Sequence, residues 1–363
     1  MKVIITYASA GAGHRKAAEA LFGYFKDCCP QAEVSLVDVL EKTSKFFKFS
    51  YTRGYDFLIR RAIFLWHFAF WLTSLKSLSK FTRGVALVTN KSNAKRFSEF
   101  LIQENPDYII STHFFPSEVA GYLKTKNKIK SKVITVITDF GVHPFWISPG
   151  TDLYIVAAEY TKGKLISLGV DAKRVKKCGI PVASKFLQLR RREELAVALG
   201  LKPDKFTVLI MTGSFGIGPL AEIAKLFHQE VQILVVCANN LKLYERLQKS
   251  NLPGVLVFGF IDNSEELMAV SDIIITKPGG LSIAEILAIE LIPIFISAIP
   301  GQEIENIKAL REIGIGFAPS SLREIKKLVL DLKLHPEKIS AMKENMRKIH
   351  RPDCLGEICH AIC

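Results

Sequence analysis

Residues 272–285 read DIIITKPGGLSIAE, Asp272 to Glu285, and this stretch decides the fold. Asp272–Thr276 is an apolar run, short and bounded by turn residues, which predicts a strand buried on both faces. Pro278, Gly279 and Gly280 break it, and an apolar helical stretch follows. Strand, glycine bend and helix form the repeating unit of a parallel sheet, because parallel neighbours need a crossover. The unit recurs at Phe206–Met211, Gln232–Cys237, Val255–Phe258 and Ile292–Ser297, each followed by a helix-like stretch. In the first half, strands are predicted at Lys2–Tyr7, Glu33–Val37, Tyr108–Ser111, Val133–Thr138, Leu153–Ala157 and near Val175–Cys178. A helix after Lys2–Tyr7 carries Ala17, Ala18, Leu21, Phe22 and Phe25 on one face, and another is predicted over Asn93–Gln103. Gly179-Ile-Pro181 and the charged run Arg190–Ala198 place a boundary near residue 183. The fold class is therefore α/β, with two Rossmann-like domains, 1–183 and 184–363, facing across a cleft. The last helix is placed to pack back on the first domain.

Length and composition agree. A chain of 363 residues exceeds one ordinary core, and 49% hydrophobic residues with 23% charged ones exclude a disordered chain. The net charge of +14 is concentrated: residues 42–96 hold 12 Lys/Arg against the single acid Asp56. Such a face suits a polyanion, either an acidic lipid surface or a nucleic acid. The 7 cysteines show no secretory framework and predict reduced thiols in the cytosol. Cys354, Cys359 and Cys363, near His350 and His360, match no common zinc spacing. Because Lys2–Tyr7 already reads as a strand, no targeting segment is expected. The longest apolar run, Ala62 to Leu72, would span only ~16 Å as a helix, against a hydrocarbon core of ~30 Å.

Four loops fall at strand ends, where open α/β sheets bind ligands. The first, Ser9-Ala-Gly11-Ala-Gly13-His14, lacks the third glycine of a dinucleotide fingerprint, since position 16 is Lys16. Its glycines let backbone N–H groups approach a ligand, and His14 can serve as a base or as a polar first-turn residue. The second, Gly213-Ser214-Phe215-Gly216-Ile217-Gly218, suits a diphosphate at a helix start; no Gly-Lys-Ser/Thr follows, which excludes a P-loop. In the third, Ser282 and Glu285 have capping-box spacing, so Glu285 either ties back the helix start or receives ribose hydroxyls. The fourth, Pro300-Gly301-Gln302-Glu303 with Asn306, offers groups for sugar hydroxyls or merely turns the chain.

Together these runs resemble the family of monogalactosyldiacylglycerol synthases and processive diacylglycerol glucosyltransferases, in glycosyltransferase family 28. The resemblance rests on GAGH followed by an alanine-rich helix, on Thr138-Asp139 with His143 and Trp146, on TKPGGLSIAE, and on PGQE with Asn306. It covers nearly the whole chain and implies the GT-B fold and a UDP-hexose donor. By that resemblance Glu285 holds the ribose, Gln302 and Glu303 the sugar, and Phe260 and Ile261 the uracil. Gly213, Ser214, Gly216 and Gly218 cradle the diphosphate, with Gly279 and Gly280 beside them. His14 becomes the leading general base, Asp139 the second candidate, Gly11 and Gly13 line the acceptor side, and Trp146 is expected against lipid. Ala10 and Ala12 stand where the family often has glycine or serine. The family inverts the anomeric centre in one displacement and uses no metal or other cofactor; no two aspartates here have D-x-D spacing.

The basic segment also holds Phe46, Phe47, Phe49, Phe64, Trp66, Phe68, Phe70 and Trp71, with Arg60 and Arg61 between. Cations with inserting aromatics predict a peripheral membrane face acting on diacylglycerol or a related lipid. The expectation that no targeting segment precedes the fold tips the donor from UDP-galactose to UDP-glucose. Transfer to a polyprenyl-linked or soluble acceptor is the alternative. Nucleic-acid binding is disfavoured, because no RNP, KH or helix-turn-helix pattern appears.

Overall fold

The computed structural model describes residues 1–9, 11–74 and 93–362. Lys76, Lys80, Arg83 and Lys91 of the basic segment, and the side chains of Arg60, Arg61, Trp66 and Phe70, lie outside the described residues.

The chain divides into two compact units, Met1–Ala183 with Ile299–Asn306 and Asp353–Cys363, and Ser184–Ala298 with Ile307–Pro352. In the first, strands β1 (Lys2–Tyr7), β2 (Glu33–Asp38), β3 (Tyr108–Ser111), β4 (Lys132–Val136), β5 (Leu153–Val156) and β6 (Val175–Lys177) form one parallel sheet. Its order is β2-β1-β3-β4-β5-β6. Helices α1 (Ala12–Cys28), α2 (Lys45–Arg61), α3 (Ile63–Ser74), α4 (Lys95–Glu104), α5 (Phe114–Thr125) and α6 (Glu159–Ser167) belong to it. Alternation along β1 separates two cores, as strand geometry requires. Val3 and Ile5 pack with Leu21 and Phe25 of α1, whereas Ile4 packs with Phe97, Leu101 and Phe115.

The second unit holds β7 (Thr207–Met211), β8 (Gln232–Val236), β9 (Val255–Phe258), β10 (Ile273–Thr276) and β11 (Ile292–Phe295), all parallel. The order is β11-β10-β7-β8-β9. Its helices are α7 (Arg192–Ala198), α8 (Leu220–Phe227), α9 (Leu241–Ser250), α10 (Ser264–Ala269), α11 (Gly280–Ile289), α13 (Leu322–Leu334) and α14 (Pro336–Ile349). Between α11 and α13 runs α12 (Gln302–Arg311), and α15 (Cys354–His360) ends the chain.

A simple division at residue 183 needs correction at residues 299–306, while the last helix lies in the first unit, where it is expected to pack. Residues 299–306 belong to the first unit, because the buried Asn306 side chain bonds there to Asp139, Phe140 and Gly141. Residues 353–363 do so as well, because Leu355, Ile358 and Ile362 join the core of β1 and α1.

Both sheets have a switch point, where the connection leaves first to one side and later to the other. In the first it lies between β1 and β3; in the second, between β7 and β10. Loops that follow these strands diverge and leave a crevice at the strand ends.

Candidate functional site

At the first switch point, the loop after β1 leads into α1 with Gly11 as N-cap at φ 143°. That φ is open to glycine and strained for any other residue, which accounts for glycine there. His14 follows in the first turn of α1, partly buried. Its Nδ1 lies 2.8 Å from the Thr112 carbonyl oxygen and 2.7 Å from Thr138 Oγ1. A carbonyl only accepts, so Nδ1 carries the proton and Nε2 keeps its lone pair. Thr112 Oγ1 donates to the His14 carbonyl at 2.8 Å, which locks the turn against the loop after β3. Burial lowers the His14 pKa to about 4, against the opposing pull of the Thr112 carbonyl. The imidazole is therefore neutral at physiological pH, a hydrogen-bond acceptor with weak affinity for a proton.

His113 lies edge-on to His14 at 4.6 Å between ring centroids and is buried. Its Nδ1 accepts from the Phe115 N–H at 3.1 Å, so the two histidines adopt opposite tautomers. Burial, with the neighbouring His14 adding, holds its pKa well below 6.5. Neither Thr112 nor His113 is singled out by a sequence motif. Their position just after a buried parallel strand is the signal that could have found them.

Trp146 requires a correction. Expected against lipid, it is 5% exposed and packs with Ile137, Val142, Tyr154 and Val156. A short 3-10 turn over Pro144–Trp146 points it inward, and its ring lies 6.1 Å from that of His14. It walls the histidine pair. His143 accepts from the Phe145 N–H through Nδ1, which leaves Nε2 to donate to Thr73 Oγ1 of α3 at 3.2 Å.

Asp139 is buried in the loop after β4. Asn306 Nδ2 donates to its Oδ1 at 3.1 Å, and Gln302 Nε2 donates to its Oδ2. Burial raises the Asp139 pKa to about 7; the amides of Asn306 and Gln302 pull it down, and the charge of Glu303 adds to the rise. A carboxyl balanced near neutrality suits proton transfer. Gln302, expected on the donor sugar, is thus engaged with Asp139, and Glu303 Oε2 accepts from the Ile299 N–H at 2.6 Å.

At the second switch point, the loop after β7 has Gly213 at φ 78°, Gly216 at 54° and Gly218 at 132°. A Cβ on Gly216 would lie 2.3 Å from the Cys237 carbonyl oxygen, so the close approach itself demands glycine. Asn239 Nδ2 donates to the Ser214 carbonyl and Asn240 Nδ2 to the Gly216 carbonyl, both at 3.0 Å. With these acceptors drawn to the asparagines, the loop enters α8 with an anion-compatible face. The asparagine pair follows strand β8, a position as informative as that of His113. Left-handed φ at Ala238 (50°) and Ser297 (51°) places backbone strain after β8 and β11 as well.

Beside this loop, Gly279 is the N-cap of α11, and Ile283 N donates to its carbonyl at 2.9 Å. The capping-box reading of Ser282 and Glu285 is thereby corrected. Ser282 lies inside the helix, and Glu285 is a buried residue of its second turn. Phe260, 69% exposed, and the partly buried Ile261 follow β9.

On the basic segment, Phe64, Leu65, Phe68 and Trp71 of α3 are exposed, as are Phe46 and Phe49 of α2. Phe47 instead packs on Tyr51 and Phe115. Among the described residues, no helix is long and apolar enough to cross a membrane, and no cluster of His, Cys, Asp and Glu could hold a metal.

Residues 14–182 match the family model for monogalactosyldiacylglycerol (MGDG) synthase, and residues 207–353 that for the glycosyltransferase family 28 C-terminal domain. A processive diacylglycerol beta-glucosyltransferase of Bacillus pumilus (strain SAFR-032) is 33% identical over 267 residues, 72% of this chain and 69% of that one. Its counterpart in Bacillus cereus (strain B4264) is 30% identical across 99% of this chain and 93% of its own. Among solved structures, MurG of Acinetobacter baumannii superposes with a TM-score of 0.62 at 14% identity, covering 99% of both chains. A UDP-GlcNAc 2-epimerase from Neisseria meningitidis, bound to UDP-GlcNAc, gives 0.64 at 14% identity, covering 100% of this chain and 99% of its own. At such identities the likeness is one of fold, which is GT-B.

Proposed function

We propose, because the chain belongs to the glycosyltransferase family of monogalactosyldiacylglycerol synthases and processive diacylglycerol glucosyltransferases, that it transfers a hexose from a UDP-sugar to diacylglycerol at a membrane surface. UDP-glucose is the favoured donor, as the names of the curated relatives suggest. The observation that carries the reading is the Gly213–Gly218 loop at a switch point, with a backbone approach that excludes every side chain at Gly216. It would hold the diphosphate through N–H groups and the α8 N-terminus, which stabilise the departing UDP without a metal ion. Phe260 and Ile261 would flank the uracil, and Glu285 the ribose, with Gly279 and Gly280 giving the nucleotide close access.

Single displacement with inversion needs one proton acceptor. Asp139, with its pKa near 7, is matched to that task. His14, neutral and with Nε2 unprotonated, would accept a hydrogen bond from the attacking hydroxyl and orient it. The exposed aromatics of α2 and α3, amid the cations of residues 42–96, would seat the chain on anionic lipid. Each cation near such a surface adds roughly 1 kcal/mol.

The test is incubation with diacylglycerol liposomes and each radiolabelled UDP-hexose, followed by separation of the lipids. Labelled glycolipid, chiefly from UDP-glucose, is expected. Label appearing only on a polyprenyl phosphate or a soluble acceptor would replace the acceptor assignment. No transfer from any donor would overturn the reading.

A further inference from the structure

Asn306 is fully buried, yet it is polar, and both ends of its amide are bonded within the first unit. Oδ1 accepts from two backbone donors, Phe140 N at 2.8 Å and Gly141 N at 3.0 Å. Two N–H groups on one atom settle which end of the amide is oxygen. Nδ2 is therefore forced toward Asp139, whose Oδ1 accepts at 3.1 Å. Gln302, one turn earlier on α12, donates to the other carboxyl oxygen. The segment is pressed close: a Cβ on Gly141 would lie 2.5 Å from Glu305 Cβ, and Tyr160 of α6 donates to Glu305 Oε2 at 3.1 Å.

We infer that Asn306, seconded by Gln302, is a positioning residue that clamps both oxygens of the Asp139 carboxyl and holds it in one rotamer as the proton acceptor for the sugar acceptor's hydroxyl. The inference rests on the reaction proposed above. It assigns Asn306 to the proton acceptor, and it makes the amide of Gln302 a carboxylate donor before it is a sugar contact. In the step itself, the hydroxyl oxygen bonds to the anomeric carbon as the bond to UDP breaks. The bonding pair leaves with UDP, and the hydroxyl proton passes to Asp139.

Clamping has a physical consequence. Burial drives the carboxyl toward its neutral form, Glu303 on the same helix turn reinforces this, and the two amide donors oppose it. Removing one donor therefore moves the Asp139 titration upward, by about one pH unit for a lost hydrogen bond to a charged group.

The experiment uses the full chain with 13C-carboxyl-labelled aspartate, the Asp139 signal being the one lost in Asp139→Asn. Titrations of wild type, Asn306→Ala and Gln302→Ala run without substrate. Initial rates with UDP-glucose and diacylglycerol are measured alongside between pH 5.5 and 9. Both variants are expected to raise the Asp139 midpoint and to shift the acid limb of the kcat profile with it. At pH 7, kcat should fall roughly tenfold or more while KM for UDP-glucose changes by less than about threefold. A midpoint that stays in place, or a raised KM with unchanged kcat, would overturn the inference in favour of a sugar contact. Because Asn306 is fully enclosed, its variant can fail to fold; Gln302→Ala, at a less buried position, then decides alone by the same criteria. If the wild type makes no glycolipid, the proposed reaction fails, while the substrate-free titration still judges the clamp.

Discussion

Replacing Gly216 by alanine separates steric exclusion from mere loop flexibility. At φ 54°, any L-residue incurs roughly 1–2 kcal/mol of left-handed strain. The new Cβ would also stand 2.3 Å from the Cys237 carbonyl oxygen and 3.1 Å from Asn240 Cβ. Ordinary contact needs about 3.5 Å, so the two backbones must part by about 1 Å. That carbonyl accepts the Asn240 N–H at 3.0 Å, and Asn240 caps α9 through Leu243 N at 3.1 Å, so parting them weakens bonds of about 1 kcal/mol each. The total is roughly 2–4 kcal/mol of stability. Gly213→Ala is the control. Its φ of 78° carries the same strain, but nothing lies within 4 Å of its Cβ, so about 1–2 kcal/mol is expected. Urea denaturation measures both variants, and titration calorimetry with UDP measures the consequence at the loop. Gly216→Ala should be less stable than Gly213→Ala by about 1 kcal/mol or more and should bind UDP at least about tenfold more weakly than wild type. Equal stability of the two variants, or UDP affinity in Gly216→Ala within twofold of wild type, would refute the reasoning.

His14 makes stability depend on pH with a defined sign. The unfolded chain takes a proton at this residue below pH 6.5, but the folded chain only near 4. The His14 contribution is therefore undiminished above 6.5 and falls by about 3 kcal/mol as pH drops through that window. His14→Gln should show a shallower loss of melting temperature between pH 6.5 and 4; parallel curves would count against the assignment. On α3, Phe64→Ser and Trp71→Ser should each weaken liposome binding about tenfold, since burying one such ring is worth roughly 1.5–3 kcal/mol. Flotation assays that show no change would remove this face from the membrane contact. Glu285→Gln keeps the volume of a buried helix residue, so melting should change little while UDP affinity falls about tenfold through loss of a charged hydrogen bond. Unaltered affinity would exclude a ribose contact.

The strand runs were legible because a parallel strand buried on both faces must be apolar along its length, as Ile273–Thr276 and Gln232–Val236 largely are. Glycine-rich turns at their ends marked candidate ligand loops, so Gly213–Gly218 and Gly279–Gly280 could be named from residue order alone. Trp146 was misjudged because an aromatic side chain in a short loop reads the same whether its ring turns to lipid or to Ile137 and Tyr154. Helix α11 starts earlier than the serine–glutamate spacing suggested, since Gly279 already has the extended conformation of a cap.

By itself, then, the sequence determined the parallel α/β architecture and the candidate loops at its strand ends, because both follow from local periodicity and turn composition. Tertiary structure alone decided the company those loops keep. It set Asn306 and Gln302 on a carboxyl more than 160 positions away, Cys359 Sγ 3.6 Å from Cys29 Sγ, and the Cys237 carbonyl against Gly216. Such pairings carry no periodic signal, because they arise only when tertiary packing brings together residues far apart in the chain. The same juxtaposition sets the burial that moves His14 down and Asp139 up.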